Sequence, residues 1–315
     1  LCLIFYSCEK KDSVENSGAS EFSSEHEQHI HDSLINCCEK KPDRFGSSSS
    51  SVNDGKLTGS GSNYDENKVS GNNHEGMVWV KGGEFTMGTN EEDAYFPEKP
   101  AHDVKVNGFW MDATEVTNAE FKKFVDATGY LTIDEKKPEW EELKKQLPPN
   151  TPPPDSKDLV PASLVYVQPK NNTGTDDVSQ WWKWVPEANW KNPEGPGSSI
   201  ENKMNLPVVQ IAYDDALAYC KWAGKRLPTE AEWEFAAKNC MTGKRFAWGD
   251  ELRPKGKIMA NTWQGVFPEK NENEDGFAGT APVKQFPPNC YGIYDMIGNV
   301  WEWTADWYDA RAYVK

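Results

Sequence analysis

All 14 tryptophans of this 315-residue chain lie at or after position 79. Large aromatic side chains carry much of the apolar area that a core can bury. From residue 9 to residue 76 they are nearly absent, and Ser, Asn, Gly, Glu and Lys dominate. Such a segment cannot bury enough surface to offset the entropy of ordering its backbone. The sequence therefore divides into a short N-terminal remnant over 1–8, a disordered polar tether over 9–76 and a folding unit over 77–315. The last holds ~240 residues, ample for one packed core.

The formal net charge is -16. A phosphate backbone needs a basic face, so nucleic acid is not an expected partner. Solubility alone accounts for the acidity. A sharper reading is that some carboxylates hold Ca2+, a hard cation that takes oxygen ligands. The seven cysteines, Cys2, Cys8, Cys37, Cys38, Cys220, Cys240 and Cys290, form no C-x-x-C pair, so spacing does not point to zinc. Residues 1–5 are apolar but far too few to span a bilayer. Followed by Tyr6-Ser7-Cys8 and a charged run, they look like the end of a bacterial lipoprotein signal, with Cys8 as the lipid-bearing residue. Phe5 departs from that pattern, and a cut secretory signal of another kind competes.

Two apolar runs, 77–80 and 84–87, flank Lys81-Gly82-Gly83 and predict a β-hairpin. Alternation through Val104 and Val106 predicts a strand over 102–111. Thr117 with Glu120 forms a capping box, followed by Phe121, Phe124 and Val125 at helical spacing and a stop at Gly129. A second helix is predicted over 214–223, ending at Gly224. A third starts from the box Thr229 to Glu232 and runs to about Lys238. Residues 138–206 read as a long irregular stretch with Trp181, Trp182, Trp184 and Trp190, of the kind that is often functional. Residues 247–307 show little periodicity.

Several constellations could carry chemistry. Asn261 and the run Asn271-Glu272-Asn273-Glu274-Asp275-Gly276-Phe277 supply side-chain oxygens and a glycine, as a calcium loop requires. The twelfth position from Asn271 is Pro282, so this is no EF-hand, and a solvated acidic loop is the competing reading. Asp295 and Glu302 are carboxylates set among apolar residues, which are costly to bury unless paired or metal-bound. Arg226 is expected to pair with an acidic neighbour. His26, His29 and His31 read as a solvated tract, with metal binding as the competing reading, and no triad partner can be named for His102. Asn171-Asn172-Thr173 is a glycosylation sequon, relevant only to a eukaryotic secreted chain.

The same residues carry a family resemblance. Gly83-Glu84-Phe85-Thr86-Met87-Gly88, Asp112-Ala113-Thr114-Glu115-Val116-Thr117-Asn118 and Asn189-Trp190-Lys191-Asn192-Pro193-Glu194-Gly195-Pro196 resemble formylglycine-generating enzymes. So do Gly224-Lys225-Arg226-Leu227-Pro228-Thr229-Glu230-Ala231-Glu232-Trp233-Glu234, Glu274-Asp275-Gly276-Phe277 and Gly298-Asn299-Val300-Trp301-Glu302-Trp303-Thr304. The resemblance runs from Met77 to about Tyr308 in the family's order. It implies an α+β domain of low secondary-structure content, with short β-hairpins and a few helices, related to C-type lectins.

It further implies oxidation by O2 of a cysteine, in a C-x-P-x-R context, in sulfatase polypeptides. One implied calcium site uses Asn261 and Asp275 with the carbonyls of Thr262 and Phe277. The other uses Asp295 and Glu302 with the carbonyls of Gly298 and Val300. Copper(I) is implied on two active-site cysteines, a soft ligand pair. In the family these fall beyond the position of Trp303, in a Gly-Gly-Ser…Cys-x-x-x-x-Cys-x-Arg segment. No Cys follows Cys290 here, so no catalytic residue is assigned. The pair is expected beyond Lys315, and the chain as written is expected to be inactive. Cys220 matches a position that is disulfide-bonded in some members, and Ala237 replaces another family cysteine. An extracytoplasmic location follows, in the cell envelope or periplasm as a lipoprotein, or in the secretory pathway of a eukaryote. Two alternatives stay open. One is a lipid-tethered binding or structural module of the same fold. The other is a relative of the iron-dependent sulfoxide synthases, for which the tether lacks a His-rich helical pattern.

Overall fold

A computed structural model describes residues 74–314, apart from 147, 157–158, 170–173 and 176. Cys8, expected to bear lipid, the histidines expected in the tether and the sequon fall outside the described residues.

Four strands open the fold: β1 (Met77–Val80), β2 (Gly83–Met87), β3 (His102–Val106) and β4 (Phe109–Asp112). β1 and β2 do not form the predicted hairpin about Gly82-Gly83. β1 instead pairs antiparallel with β4, Val80 opposite Phe109, and β2 pairs with β3, Gly83 opposite Val106. One register runs through both ladders. The reason lies at the break between them. The backbone of Gly82 is pressed on Asn107 and Gly108 so closely that a Cβ would collide with their main chain. Two glycine-containing linkers therefore cross, and the chain continues straight instead of turning back.

The helices follow their local signals. α1 (Asn118–Thr128) is capped by Thr117, whose N–H donates to Glu120 Oε2 at 2.8 Å. It ends at Gly129, with φ 67° in the left-handed region that a side chain disfavours. α2 (Trp140–Leu143) is one turn. α3 (Tyr213–Ala223) stops at left-handed Gly224. α4 (Glu230–Lys238) has its box too: the Thr229 N–H donates to Glu232 Oε2 at 2.9 Å, and the Glu232 N–H donates to Thr229 Oγ1 at 3.1 Å. The stretch predicted to be irregular contains a hairpin, β5 (Ala162–Tyr166) with β6 (Trp182–Pro186). Trp182 and Trp184 of the Trp cluster lie in its second strand, Trp181 just precedes it and Trp190 lies in the loop beyond. From 247 to 307 the described residues form a single 3-10 turn and otherwise loops.

Two apolar clusters hold these parts. In one, Val80, Phe85, Val106 and Phe109 of the ladders meet Phe235 and Ala236 of α4, with Ile293 and Met296 from the C-terminal loops. Phe85 and Phe235 meet edge to face with centroids 5.2 Å apart. In the other, Phe121 and Phe124 of α1 and Tyr219 of α3 pack on Trp190 and Ile200.

The loop that carries Asp295 is tied to both sides of the first cluster. The Tyr294 N–H donates to the Ala113 carbonyl at 2.9 Å, and Asn289 Nδ2 donates to the Ala236 carbonyl at 2.7 Å. A disulfide joins Cys240, just after α4, to Cys290, 50 positions on. Sequence spacing alone did not indicate this bond, because disulfide connectivity is not written in spacing. Replacing both cysteines by Ser is expected to cost about 2–4 kcal/mol. The check is a urea titration of the wild-type and doubly substituted chains, with and without reductant. Equal midpoints in all four titrations would show that the bond is without consequence.

Candidate metal-binding loops

The first loop set brings together only part of its predicted ligands. Asp275 accepts from the Thr262 N–H through Oδ2 at 3.1 Å and from the Phe277 N–H through Oδ1 at 2.9 Å. Buried Gln264, which sequence reasoning passed over, stands between them. Its Nε2 donates to Asp275 Oδ2 at 2.7 Å and also to the Thr262 carbonyl. Thr262 and Asp275 thus direct oxygens at one point that already receives an electropositive group. That donor chemistry fits a hard cation. The Asn261 amide nitrogen is held by neighbouring loops. It donates to the Gly279 carbonyl at 2.9 Å and to Asn299 Oδ1 at 3.0 Å.

Most of the acidic run is a solvated surface. Glu272 pairs with Lys270 at 2.7 Å, and Glu274 pairs with Arg253. Asn271 Oδ1 accepts backbone N–H groups of Gln264 at 3.0 Å and Asn273 at 3.2 Å. Asp275 alone of these carboxylates turns inward. The solvated reading describes Glu272 and Glu274, and Asp275 is the carboxylate to which the calcium reading narrows.

The second loop set is a tight turn. Asp295 and Asn299 take left-handed backbone angles, φ 55° and 59°, beside Gly298 at φ 84°. A Cβ on Gly298 would strike the Asn261 carbonyl, so the two loop sets meet backbone to backbone at that residue. Asp295 is buried, and Oδ2 accepts the Lys284 N–H at 3.0 Å. Burial raises its pKa above the usual carboxylate range. Glu302 Oε2 accepts from Trp233 Nε1 at 3.2 Å. Its pKa is pushed up to about 7, first by desolvation, with Asp295 adding repulsion. Glu302 is nonetheless an exposed residue, so water screens part of that shift.

A third carboxylate, Glu115, also faces this turn. Burial pushes it up to about 8, and Glu302 is the next cause. One of its oxygens, Oε2, is buried without a hydrogen-bond partner. An orphaned buried carboxylate oxygen beside Asp295 and Glu302 fits a site for a divalent cation. Among the described residues, no three His, Cys, Asp or Glu side chains converge on one point. The carbonyls of Gly298 and Val300 would have to complete the shell.

Copper is a different case. Cys240 and Cys290 are bonded to each other, and Cys220 is the free cysteine among the described residues. Burial raises the Cys220 thiol pKa, and Asp112 adds to the effect, which disfavours the thiolate that a soft metal needs. The described residues do not fit a two-thiolate centre. Arg226 takes the structural role expected of it, forked on Glu232 with both contacts at 2.6 Å. His102 is likewise structural, with Nδ1 3.0 Å from the Pro100 carbonyl and its ring against Tyr313.

The sequence that forms these ladders, helices and loops matches that of known proteins. A profile described as the sulfatase-modifying factor enzyme 1-like domain matches residues 63–314. The chain belongs to that family. It is 47% identical over 241 residues to the formylglycine-generating enzyme of Mus musculus, covering 76% of this chain and 60% of the relative. It is 47% identical over 229 residues to the formylglycine-generating enzyme of Mycobacterium tuberculosis, covering 72% of this chain and 73% of the relative. It is also 42% identical over 242 residues to the inactive C-alpha-formylglycine-generating enzyme 2 of Mus musculus, covering 74% of this chain and 69% of the relative. The chain thus spans well under two thirds of the first of these proteins.

Proposed function

We propose that this chain is the scaffold of a formylglycine-generating oxidase. In this reading the complete protein acts on sulfatase polypeptides, oxidising the cysteine of a C-x-P-x-R segment with O2. The observation that carries it is the 47% identity to enzymes of that name from a mammal and a bacterium. Calcium, held by the loops around Asp275 and Asp295, braces the region that lacks helices and strands. The copper chemistry implied by the resemblance needs a thiol pair that the described residues do not form, so no catalytic step is assigned to them. An extracytoplasmic location, with Cys8 as a lipid anchor, belongs to the same reading. The Cys240–Cys290 bond supports an oxidising compartment. Among the described residues, no helix is long and apolar enough to cross a membrane.

The rival is a binding module without oxidase chemistry, favoured by the 42% identity to an inactive paralogue. Co-expression separates the two. The complete protein, produced with a sulfatase in cells lacking their own modifying enzyme, is expected to yield formylglycine at the sulfatase cysteine by peptide mass spectrometry. An unmodified cysteine in a stably associated sulfatase would favour the module.

A further inference from the structure

Gln264 is 6% exposed, and its main chain is tied into the first loop. Its N–H donates to Asn271 Oδ1 at 3.0 Å, and its carbonyl accepts the Glu272 N–H at 2.6 Å. Gly265 follows at φ 108°, where a Cβ would strike the Lys270 carbonyl. The loop therefore fixes the backbone at 264, and the side chain is the part that can turn.

That side chain ends among oxygens. Nε2 donates to Asp275 Oδ2 at 2.7 Å and to the Thr262 carbonyl, with Thr262 Oγ1 3.4 Å away. Oε1 accepts from the Asp275 N–H at 3.4 Å. The reverse orientation would set an amide oxygen against a carboxylate and a carbonyl, so these partners assign the amide. Asp275 Oδ2 also accepts the Thr262 N–H at 3.1 Å, and the two donors use both of its lone pairs. The point that Asp275 Oδ2 and the Thr262 carbonyl share is thus taken by a group of partial positive charge. A calcium ion on the same two oxygens would stand about 2.3–2.6 Å from each. It has to displace one donor from Oδ2. The Thr262 N–H belongs to the loop backbone, whereas the amide leaves by side-chain rotation alone.

We infer that the Gln264 amide is a built-in competitor for calcium at the first site. Without the ion it holds Asp275 and Thr262 in place, and when the ion binds it turns aside. The inference rests on the calcium reading above. Two consequences are linked. The loop keeps its shape without calcium, and its affinity is lower than its oxygens alone would give. The same hydrogen bonds stabilise the metal-free fold and oppose binding, so removing them shifts both quantities together.

Calorimetric titration of the chelator-stripped 315-residue chain with CaCl2, together with thermal melts in chelator and in excess calcium, tests this. Gln264→Met keeps the length of the side chain and removes its donors. It is expected to bind calcium about tenfold or more tightly at one site, because no hydrogen bond to a charged group has to be broken first. In chelator it is expected to melt below wild type, and in excess calcium at the same midpoint. Gln264→Asn, an amide one methylene shorter, is expected to show smaller changes of both kinds. In an Asp275→Ala background the gain in affinity is expected to vanish. Unchanged or weaker calcium binding by Gln264→Met overturns the inference and leaves the calcium reading standing. A gain that persists with Asp275→Ala overturns it too, as does an equal loss of melting midpoint with and without calcium. If neither wild type nor Gln264→Met binds calcium, the inference and the calcium reading fail together.

Discussion

Replacing Trp190 by Ala is expected to lower the folding stability by about 3–5 kcal/mol. Trp190 is 2% exposed and sits in a loop, yet it is the keystone of the second apolar cluster. Its ring meets Phe121 edge to face with centroids 5.1 Å apart, so α1 packs directly on it. Its Nε1 donates to Glu135 Oε2 at 3.3 Å, which satisfies the one polar atom it buries. Truncation would remove the aromatic contact, leave a cavity among Phe121, Phe124 and Tyr219, and strip a partner from Glu135. Trp190→Phe should cost less, because much of the apolar volume remains. Urea titrations of the three proteins check this, the midpoint falling in the order wild type, Phe, Ala with little change in slope. An Ala variant within about 1 kcal/mol of wild type would contradict the packing described.

Calcium is expected to raise the melting midpoint of the chain, and a chelator to lower it. Residues 247–307 have almost no helix or strand to hold them. They also hold Asp275, Asp295 and Glu302, and Asp295 raises the pKa of Glu302 by repulsion. A cation that binds only the folded state adds on the order of 3–4 kcal/mol when its free concentration exceeds the dissociation constant by ~100- to 1,000-fold. Asp275→Ala and Asp295→Ala should each shrink the shift, acting on different loop sets. Differential scanning calorimetry across a calcium series reads this directly. A cooperative transition that calcium leaves unmoved would return these carboxylates to the role of a solvated, self-repelling loop.

The parts of the fold that were legible in the sequence are those whose cause is local. Thr117 with Glu120 and Thr229 with Glu232 are hydrogen-bonded within one turn, so their spacing announces the helix starts, as Gly129 and Gly224 announce two of the ends. Strand pairing was not legible. Nothing near 77–80 says that its partner is 109–112, because the pairing is set by the crossing of two linkers far apart in sequence. The Trp181-Trp182-Lys183-Trp184 cluster read as loop, yet Trp182 and Trp184 belong to a strand whose partner lies on the other side of the long insertion. Asp275 and Asp295 became candidate ligands through family resemblance and local composition. Glu115 lay inside a recognisable block but without a role, since its partner Asn299 is 184 residues away. Gln264 gave no signal at all, being one amide in an aromatic loop.

In the proposed function, this scaffold serves cysteine-to-formylglycine conversion through a thiol pair that its described residues do not supply. The most direct measurement is mass spectrometry of a C-x-P-x-R peptide after incubation with copper, calcium and O2. Two proteins are compared: the 315-residue chain, and the same chain fused to a segment bearing the family's Gly-Gly-Ser…Cys-x-x-x-x-Cys-x-Arg pattern. The account predicts an unchanged peptide with the first protein and formylglycine with the second, abolished when either added cysteine is replaced by Ser. Conversion by the 315-residue chain that survives replacement of Cys220, or a folded, calcium-bound fusion that leaves the peptide untouched, would contradict it.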